Sequence, residues 1–236
     1  MCGRFTLTCN DPEILAQKLG IDPQLLRSNG YQPRYNIAPR QLHWIVRINQ
    51  GKRELLPARW GLVNEWAADD SGATHKINAR AETVAELPSY RSAFLSRRCI
   101  VPADGFFEWS GPKDKRVPHW FHRADQDLLL FAGLYEVWHP EPGLFESTFT
   151  IITTPANADC ASVHDRMPAI LEGKVSDQWL DCSEIPSDQH RALLVPAPNN
   201  VLVENRVSRR LNFVGNDDPD CIIREDSLFD WMKQGK

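Results

Sequence analysis

The sequence lacks the cysteine spacings that build metal sites and disulfide frameworks. Its six cysteines lie far apart, no two of them form a CxxC pair, and no His-x3-His spacing occurs. A zinc site or a disulfide-stapled scaffold depends on closely paired ligands or cysteines. We therefore predict free, mostly buried thiols in a reducing compartment, with no metal and no organic cofactor.

Long apolar segments are also missing. No stretch approaches the roughly 18 uninterrupted apolar residues of a membrane-spanning helix. The opening residues include Arg4 and do not form a basic region followed by an apolar run, so we expect no secretory signal. Glycine is absent from position 2, which excludes the N-myristoylation pattern. These absences predict a cytoplasmic protein, or a nuclear one in a eukaryote, with no membrane partner.

Strand-like segments recur along the 236 residues, whereas helical patterns are short and few. This pattern, with 42% hydrophobic residues, predicts a β-rich α+β fold with a sizeable core. Locally, Asp11-Pro12 predicts the start of a helix and Gly20 its end. Residues 49–51 predict a hairpin turn. The proline-interrupted residues 31–40 predict a loop, and residues 77–86 predict a lead into a helix.

Charge is unevenly distributed along a chain whose net charge is −4. Residues 27–116 hold 15 Lys and Arg against 9 Asp and Glu, a balance of +6, and the remainder holds 12 against 22, a balance of −10. A locally basic, arginine-rich face can bind phosphates on an acidic protein, although a solvated face without a partner has the same pattern. Trp60 and Trp109 lie near basic residues and could stack on unpaired bases, but most tryptophans belong to the core.

Cys2 is the candidate nucleophile. If Met1 is removed, Cys2 carries an α-amine and a thiol, with reference pKa values of about 8 and about 8.5. An aldehyde that meets this pair can form a Schiff base with the amine, and the thiol can then close a five-membered thiazolidine. The plain alternative is that Cys2 is a small residue at the start of a strand.

Three further motifs hold candidate site residues. Glu108 lies among aromatic residues, where desolvation raises a carboxyl pKa and suits it to acid–base work, unless an arginine pairs with it for structural reasons. His164 lies in a polar loop, as either a catalytic or a surface histidine. Asn78 and Arg80 stand at the predicted helix start, where Arg80 could hold an anion or simply pair with Glu82.

An ordered set of motifs resembles the SRAP family (SOS response-associated peptidase, also called abasic site processing proteins). The matching segments, in chain order, are MCGRF at 1–5, YNIAP at 35–39, WGL at 60–62, NARAE at 78–82, RCIVP at 98–102, GFFEW at 105–109, TPAN at 154–157 and HDRMP at 164–168. The resemblance runs from residue 1 to about 210. We therefore predict a catalytic domain of residues 1–215 and an acidic C-terminal tail of residues 216–236.

The resemblance implies a barrel-like core of mainly antiparallel strands flanked by short helices. It also implies covalent capture of abasic sites in single-stranded DNA, with Cys2 ending as a thiazolidine on the sugar aldehyde. Asn78 would orient the sugar, Glu108 would move protons, and His164 would assist ring opening or a competing lyase reaction. DNA-binding roles would fall to Arg4, Asn36, Pro39, Trp60, Arg80 and Trp109. The peptidase name implies removal of residues that precede the cysteine, and we expect a monomer.

Two other function classes remain open from the residues alone. An N-terminal-nucleophile hydrolase or peptidase would use Cys2 with Glu108 or His164 as base. A non-catalytic reader of modified or single-stranded DNA would use the basic face and leave Cys2 incidental.

Overall fold

Two β-sheets make up most of the protein. The structure is a computed structural model that describes residues 2–112, 114–182 and 188–225. Its strands are β1 (Arg4–Leu7), β2 (Arg34–Ile37), β3 (Leu42–Asn49), β4 (Lys52–Trp60), β5 (Asn78–Arg80), β6 (Arg98–Ala103), β7 (Gly105–Ser110), β8 (Val117–Arg123), β9 (Leu129–Trp138), β10 (Glu146–Pro155), β11 (Arg166–Pro168) and β12 (Leu202–Arg206).

The helices are short and lie outside the sheets. They are α1 (Pro12–Leu19), α2 (Pro23–Ser28), α3 (Pro88–Ser96), α4 (Val175–Leu180) and α5 (Asp188–Ala192), with 3-10 turns at Ala73–His75, Arg209–Asn212 and Pro219–Ile222. Among the helices that the structure describes, none is long and apolar enough to cross a bilayer.

One sheet closes into a five-stranded barrel. Its strands follow the order β10-β4-β3-β6-β9, and β9 pairs back onto β10. The pairing of β4 with β10 is parallel, and the other pairs around the barrel are antiparallel. β5 and β11 extend this sheet by pairing with the later part of β10. The predicted fold class, a β-rich barrel-like core with mainly antiparallel strands and short helices, is confirmed.

The second sheet is antiparallel, with the order β12-β8-β7-β1-β2. On one face, Phe5 and Phe106 make edge-to-face contacts with Phe131 of the barrel, and this aromatic cluster is fully buried. The opposite face carries Phe107, which is covered by a small cluster that includes Val207 and Leu211. Both faces are therefore protected, and the β1 and β7 backbones are fixed between two apolar layers.

Several local predictions are confirmed. Asp11 accepts hydrogen bonds from the first turn of α1, and Gly20 ends that helix in the left-handed conformation. The hairpin between β3 and β4 turns at Gln50 and Gly51, both with positive φ.

Two local predictions are wrong. Residues 34–37 form β2 rather than a loop, because β2 pairs with β1 between the prolines. Residues 78–80 form β5 rather than a helix start, because their backbone pairs in parallel with β10. In both segments the partner strand is distant in sequence, so local residue preference does not reveal it.

The C-terminal segment contacts the second sheet through Asp217. Its carboxylate accepts hydrogen bonds from the backbone N–H groups of Tyr35, at 2.5 Å, and Asn36, at 2.9 Å. Cys221 is fully buried. Residues 216–225 of the predicted acidic tail are thus packed against β2, and residues 226–236 lie outside the described residues.

Candidate active site

Cys2 lies two residues before β1 and is fully buried. Its Sγ contacts the carbonyl oxygen of Arg4 at 3.6 Å, and its own carbonyl oxygen accepts a hydrogen bond from Asn78 Nδ2 at 2.8 Å. Burial, followed by the negative charge of Glu108, raises the pKa of the Cys2 thiol well above its usual range. The sulfur therefore stays protonated at neutral pH, and a nearby base must take its proton when it reacts.

Asn78 comes from the barrel side of the site. It begins β5, opposite Ile151 of β10, and only 8% of the residue is exposed. Its Oδ1 is buried without a hydrogen-bond partner in the described part of the chain. Because side chains alternate along a strand, Arg80 projects from the same face of β5 as Asn78, and Arg80 is exposed.

Glu108 lies on β7, directly across from His119 of β8. It is 3% exposed, and this burial raises the pKa of its carboxyl to about 7. The exposed Asp165 carboxylate also raises this pKa, while the guanidinium of Arg116 lowers it. A carboxyl with this pKa is present in both protonation states near neutrality, as a residue that both donates and accepts protons requires.

His164 completes the group from the turn between β10 and β11. Its Nε2 lies 3.9 Å from Glu108 Oε2. Its Nδ1 accepts a hydrogen bond from the backbone N–H of Arg166 at 3.0 Å, so in the neutral ring we assign the proton to Nε2, facing Glu108. The Asp165 carboxylate also lies 3.0 Å from Nδ1, but it is 87% exposed and the backbone donor is fixed. Burial lowers the pKa of His164, which favours the neutral ring.

The four predicted catalytic residues therefore meet in one place. Cys2, Asn78, Glu108 and His164 come from four separate segments, and each is tied to at least one of the others by a hydrogen bond, a short distance or an electrostatic effect.

An open cleft of about 420 Å³ reaches Gly3, the residue that follows Cys2, although none of the four predicted catalytic residues lines it. It is lined by Gly3, Arg4, Pro39, Trp109, Arg116 and Asn212. Three of the predicted DNA-binding residues, Arg4, Pro39 and Trp109, thus share one surface. Trp109 is fixed there by a 2.8 Å hydrogen bond from its Nε1 to Asn212 Oδ1.

The other predicted DNA-binding residues occupy different positions. Trp60 is fully buried in the barrel, where it stacks on Phe149 and donates to the Ile77 carbonyl oxygen, so its ring offers no open face. Asn36 is also fully buried. Its side chain accepts from Arg4 at 2.8 Å and donates to backbone carbonyls of residues 211–216. In this structure both residues are packed inside the protein, and neither lines the cleft.

Two cleft residues escaped the sequence-based prediction. Arg116 ends a charged turn and carries no recognisable motif, while Asn212 lies in a 3-10 turn 103 residues after Trp109. Only the folded chain brings them to the cleft. No cluster of three or more potential metal ligands occurs among the described residues.

Comparisons with known proteins match this chain over most of its length. A family model described as SOS response associated peptidase (SRAP) matches residues 1–214. The abasic site processing protein YoqW of Bacillus subtilis (strain 168) is 40% identical over 225 residues, which cover 94% of this chain and 99% of YoqW. The abasic site processing protein HMCES of Gallus gallus is 32% identical over 235 residues, which cover 85% of this chain and 69% of HMCES.

A solved structure agrees with the architecture. The crystal structure of a protein from Bacteroides thetaiotaomicron superposes with a TM-score of 0.82 at 25% sequence identity, covering 94% of this chain and 99% of that one.

Proposed function

Because this chain belongs to the SOS response-associated peptidase (SRAP) family, we propose that it processes abasic sites in DNA by covalent capture on Cys2. The observation that carries the proposal is the junction of Cys2 with Asn78, Glu108 and His164 beside an open cleft. The names of the relatives point to the same lesion. An abasic site in its ring-opened form presents an aldehyde, the group that a terminal cysteine can trap.

Removal of Met1 is the first step of the proposal. While a residue precedes Cys2, the Cys2 nitrogen is an amide and cannot form an imine. Either a methionine aminopeptidase or self-cleavage can release the amine. The hydrogen bond from Asn78 to the Cys2 carbonyl oxygen then fixes the direction of the new terminus.

The reaction proceeds by two additions to one carbon. The Cys2 amine attacks the C1′ aldehyde carbon, and loss of one water gives an imine. The thiol then adds to the imine carbon, its proton passes to the nitrogen, and a thiazolidine closes with a net loss of one water. Glu108, with a pKa of about 7, supplies the proton for the departing hydroxyl and accepts protons from the amine and the thiol.

Ring closure also explains how capture protects the DNA. The imine acidifies the C2′ hydrogen and so permits β-elimination of the 3′ phosphate, which is a lyase reaction. The thiazolidine carbon is saturated, and this removes the electron sink that elimination needs. We assign His164 to proton transfer during sugar ring opening and during the competing elimination, since its Nε2 faces Glu108.

Single-stranded DNA is the substrate that this chemistry favours. The reacting atoms lie at a fully buried residue beside an open cleft, and a sugar without an opposing strand can enter such a site more easily. Phosphate contacts should supply most of the affinity, which should fall steeply with salt. Arg80 is exposed on the same face as Asn78 and is assigned to a phosphate near the lesion.

Two variants of Cys2 test the proposal with a uracil-excised single-stranded oligonucleotide. Cys2→Ala keeps a terminal amine after Met1 removal but lacks the thiol, and so does the closer isostere Cys2→Ser. We expect the native protein to form a heat-stable adduct and both variants to form none, whereas borohydride should trap an imine in both. A heat-stable adduct in either variant would exclude the thiazolidine. Turnover of a peptide or amide substrate, without any adduct on DNA, would favour the hydrolase alternative.

A further inference from the structure

Arg116 is an exposed cation at the mouth of the cleft. It lines the same cleft as Arg4 and Trp109, and the cleft begins one residue after Cys2. Within the described ranges, no carboxylate lies at ion-pair distance from the Arg116 guanidinium, in contrast to the paired arginines elsewhere on the surface. An unpaired guanidinium beside an open cleft keeps its donors available for an anion.

Two other arginines near the site, Arg4 and Arg166, are already engaged. Arg166 holds the Glu82 carboxylate with two nitrogens, at 2.5 and 2.9 Å. Arg4 donates to Asn36 Oδ1 at 2.8 Å and to the Leu211 carbonyl oxygen at 3.1 Å. These contacts join segments of the protein to one another, so the donors of both arginines are already used within the fold. Arg116 on the cleft side has no comparable internal role.

The charge of Arg116 reaches the proton-transfer groups. It lowers the pKa of both Glu108 and His164, although burial and the Asp165 carboxylate each have a larger effect on these pKa values. Because Arg116 lines the cleft together with Gly3 and Arg4, the two residues that follow Cys2, its guanidinium lies on the approach to the reacting residue. A phosphate that binds there would belong to a nucleotide next to the lesion and not to a remote part of the strand.

We propose that Arg116 binds a DNA phosphate adjacent to the abasic sugar and so positions the sugar over Cys2. The inference rests on the proposed function and adds a positioning residue that the sequence motifs do not contain. Arg116 would form hydrogen bonds from its planar guanidinium to two phosphate oxygens, a geometry that lysine cannot reproduce.

Binding is measured first without chemistry. The probe is a single-stranded oligonucleotide with one tetrahydrofuran site, which has the shape of an abasic sugar but no aldehyde. Log affinity falls as log salt rises, and loss of one phosphate contact should make this slope shallower by about 0.7 for a single strand. Binding at low salt should weaken by roughly tenfold. We expect this change in Arg116→Gln. Arg116→Lys should retain the slope but bind more weakly than the native protein.

The matched control is Lys52→Gln. Lys52 is exposed and lies at the opposite end of β4 from Trp60, beside the hairpin turn. Its substitution removes the same charge at a distance from the cleft, so the salt slope should stay at the native value. Equal loss of slope in both variants would mean that Arg116 acts only through net charge, which contradicts the inference.

A pH profile separates positioning from a purely structural role. The groups around Glu108 that carry charge or titrate are the thiol and, after Met1 removal, the α-amine of Cys2, together with Arg116, His119, Cys160, His164 and Asp165. Of these, Arg116 is the permanent cation, and a bound phosphate would offset its charge. In the native protein the apparent pKa of crosslinking should therefore be higher at saturating DNA, which reports the complex, than at limiting DNA, which reports the free protein.

In Arg116→Gln, the apparent pKa of crosslinking should differ less between saturating and limiting DNA. The reason is that the free variant already lacks the charge that lowers the Glu108 pKa. Unchanged salt slope and unchanged pH profile, with normal crosslinking, would overturn the role of Arg116 and leave the proposed function intact. Failure of the native protein to crosslink natural abasic DNA would overturn the proposed function itself. The two failures are thus distinguishable.

Discussion

At the scale of single residues, Glu108 and His164 show opposite effects of burial on their pKa values. Glu108 is almost completely buried, and its pKa is raised to about 7, while His164 is partly exposed and its pKa is lowered. Burial disfavours the charged form of each, so it shifts the acid upward and the base downward. Burial thus brings the pKa of Glu108 close to neutral pH, whereas it holds His164 mainly in the neutral form.

The raised Glu108 pKa predicts a pH-dependent cost in stability. A carboxyl whose folded pKa exceeds its unfolded value contributes stability below the unfolded pKa, near 4.5, and loses it as the pH rises through about 7. Glu108→Gln removes the ionisation. As the pH rises from 4 to 8, the free energy of unfolding of Glu108→Gln minus that of the native protein should increase by up to ~3 kcal/mol.

Urea unfolding at several pH values measures this trend, with the exposed Glu141→Gln as control. A constant difference between Glu108→Gln and the native protein across this pH range would show that the carboxyl is not destabilised by burial.

The sequence indicates the reacting residues better than it indicates their surroundings. Glu108 among aromatic residues predicted a buried carboxyl with a raised pKa, as the structure has it. Trp60 beside Arg59 resembled a stacking platform, but the ring fills the barrel core. An exposed tryptophan that stacks on bases and a buried core tryptophan can both follow an arginine in sequence. Only the packing of Phe149 against Trp60 shows that this ring belongs to the core.

At the scale of elements, β10 assembles the barrel side of the site. β5 pairs in parallel with residues 151–153 of β10, and β11 pairs with residues 153–155. Asn78 begins β5, and His164 lies two residues before β11, so one strand fixes the positions of both. This explains why two motifs that are 86 residues apart in the chain meet at Cys2.

The sequence did not reveal this role of β10. The pairing of β10 with residues 78–80 depends on a long-range parallel contact that the alternation of residues does not encode. α1 and the β3–β4 hairpin were predictable because their caps and turn residues lie within the elements themselves.

Gly133 tests the closure of the barrel. It lies on β9 between Cys99 of β6 and Ile151 of β10. A Cβ at this position would meet the Cys99 Sγ at 3.0 Å and the Thr150 carbonyl oxygen at 3.1 Å. The backbone oxygen cannot withdraw without disturbing β10, so Gly133→Ala should destabilise the protein by about 1–3 kcal/mol.

Thermal unfolding measures this effect against Gly72→Ala, whose added Cβ would meet no atom within 4 Å. Equal melting temperatures for Gly133→Ala and the native protein would show that β6, β9 and β10 pack less closely than described.

At the scale of the whole molecule, each of the two sheets positions two of the four candidate catalytic residues. The antiparallel sheet positions Cys2, two residues before β1, and Glu108, within β7, and the barrel sheet supplies Asn78 and His164. The site therefore lies between two rigid sheets, and neither sheet contains all of it. The uneven charge predicted from the sequence agrees with this arrangement, since Arg80 and Arg116 both come from the basic part of the chain.

The central claim, capture of an abasic aldehyde by the amine and thiol of Cys2, is tested most directly by intact mass. The protein, expressed without an N-terminal tag, is weighed before and after incubation with a uracil-excised single-stranded oligonucleotide. We predict the loss of Met1, followed by a heat-stable gain of one oligonucleotide less one water. A protein with a free Cys2 terminus that gains no mass would contradict the account.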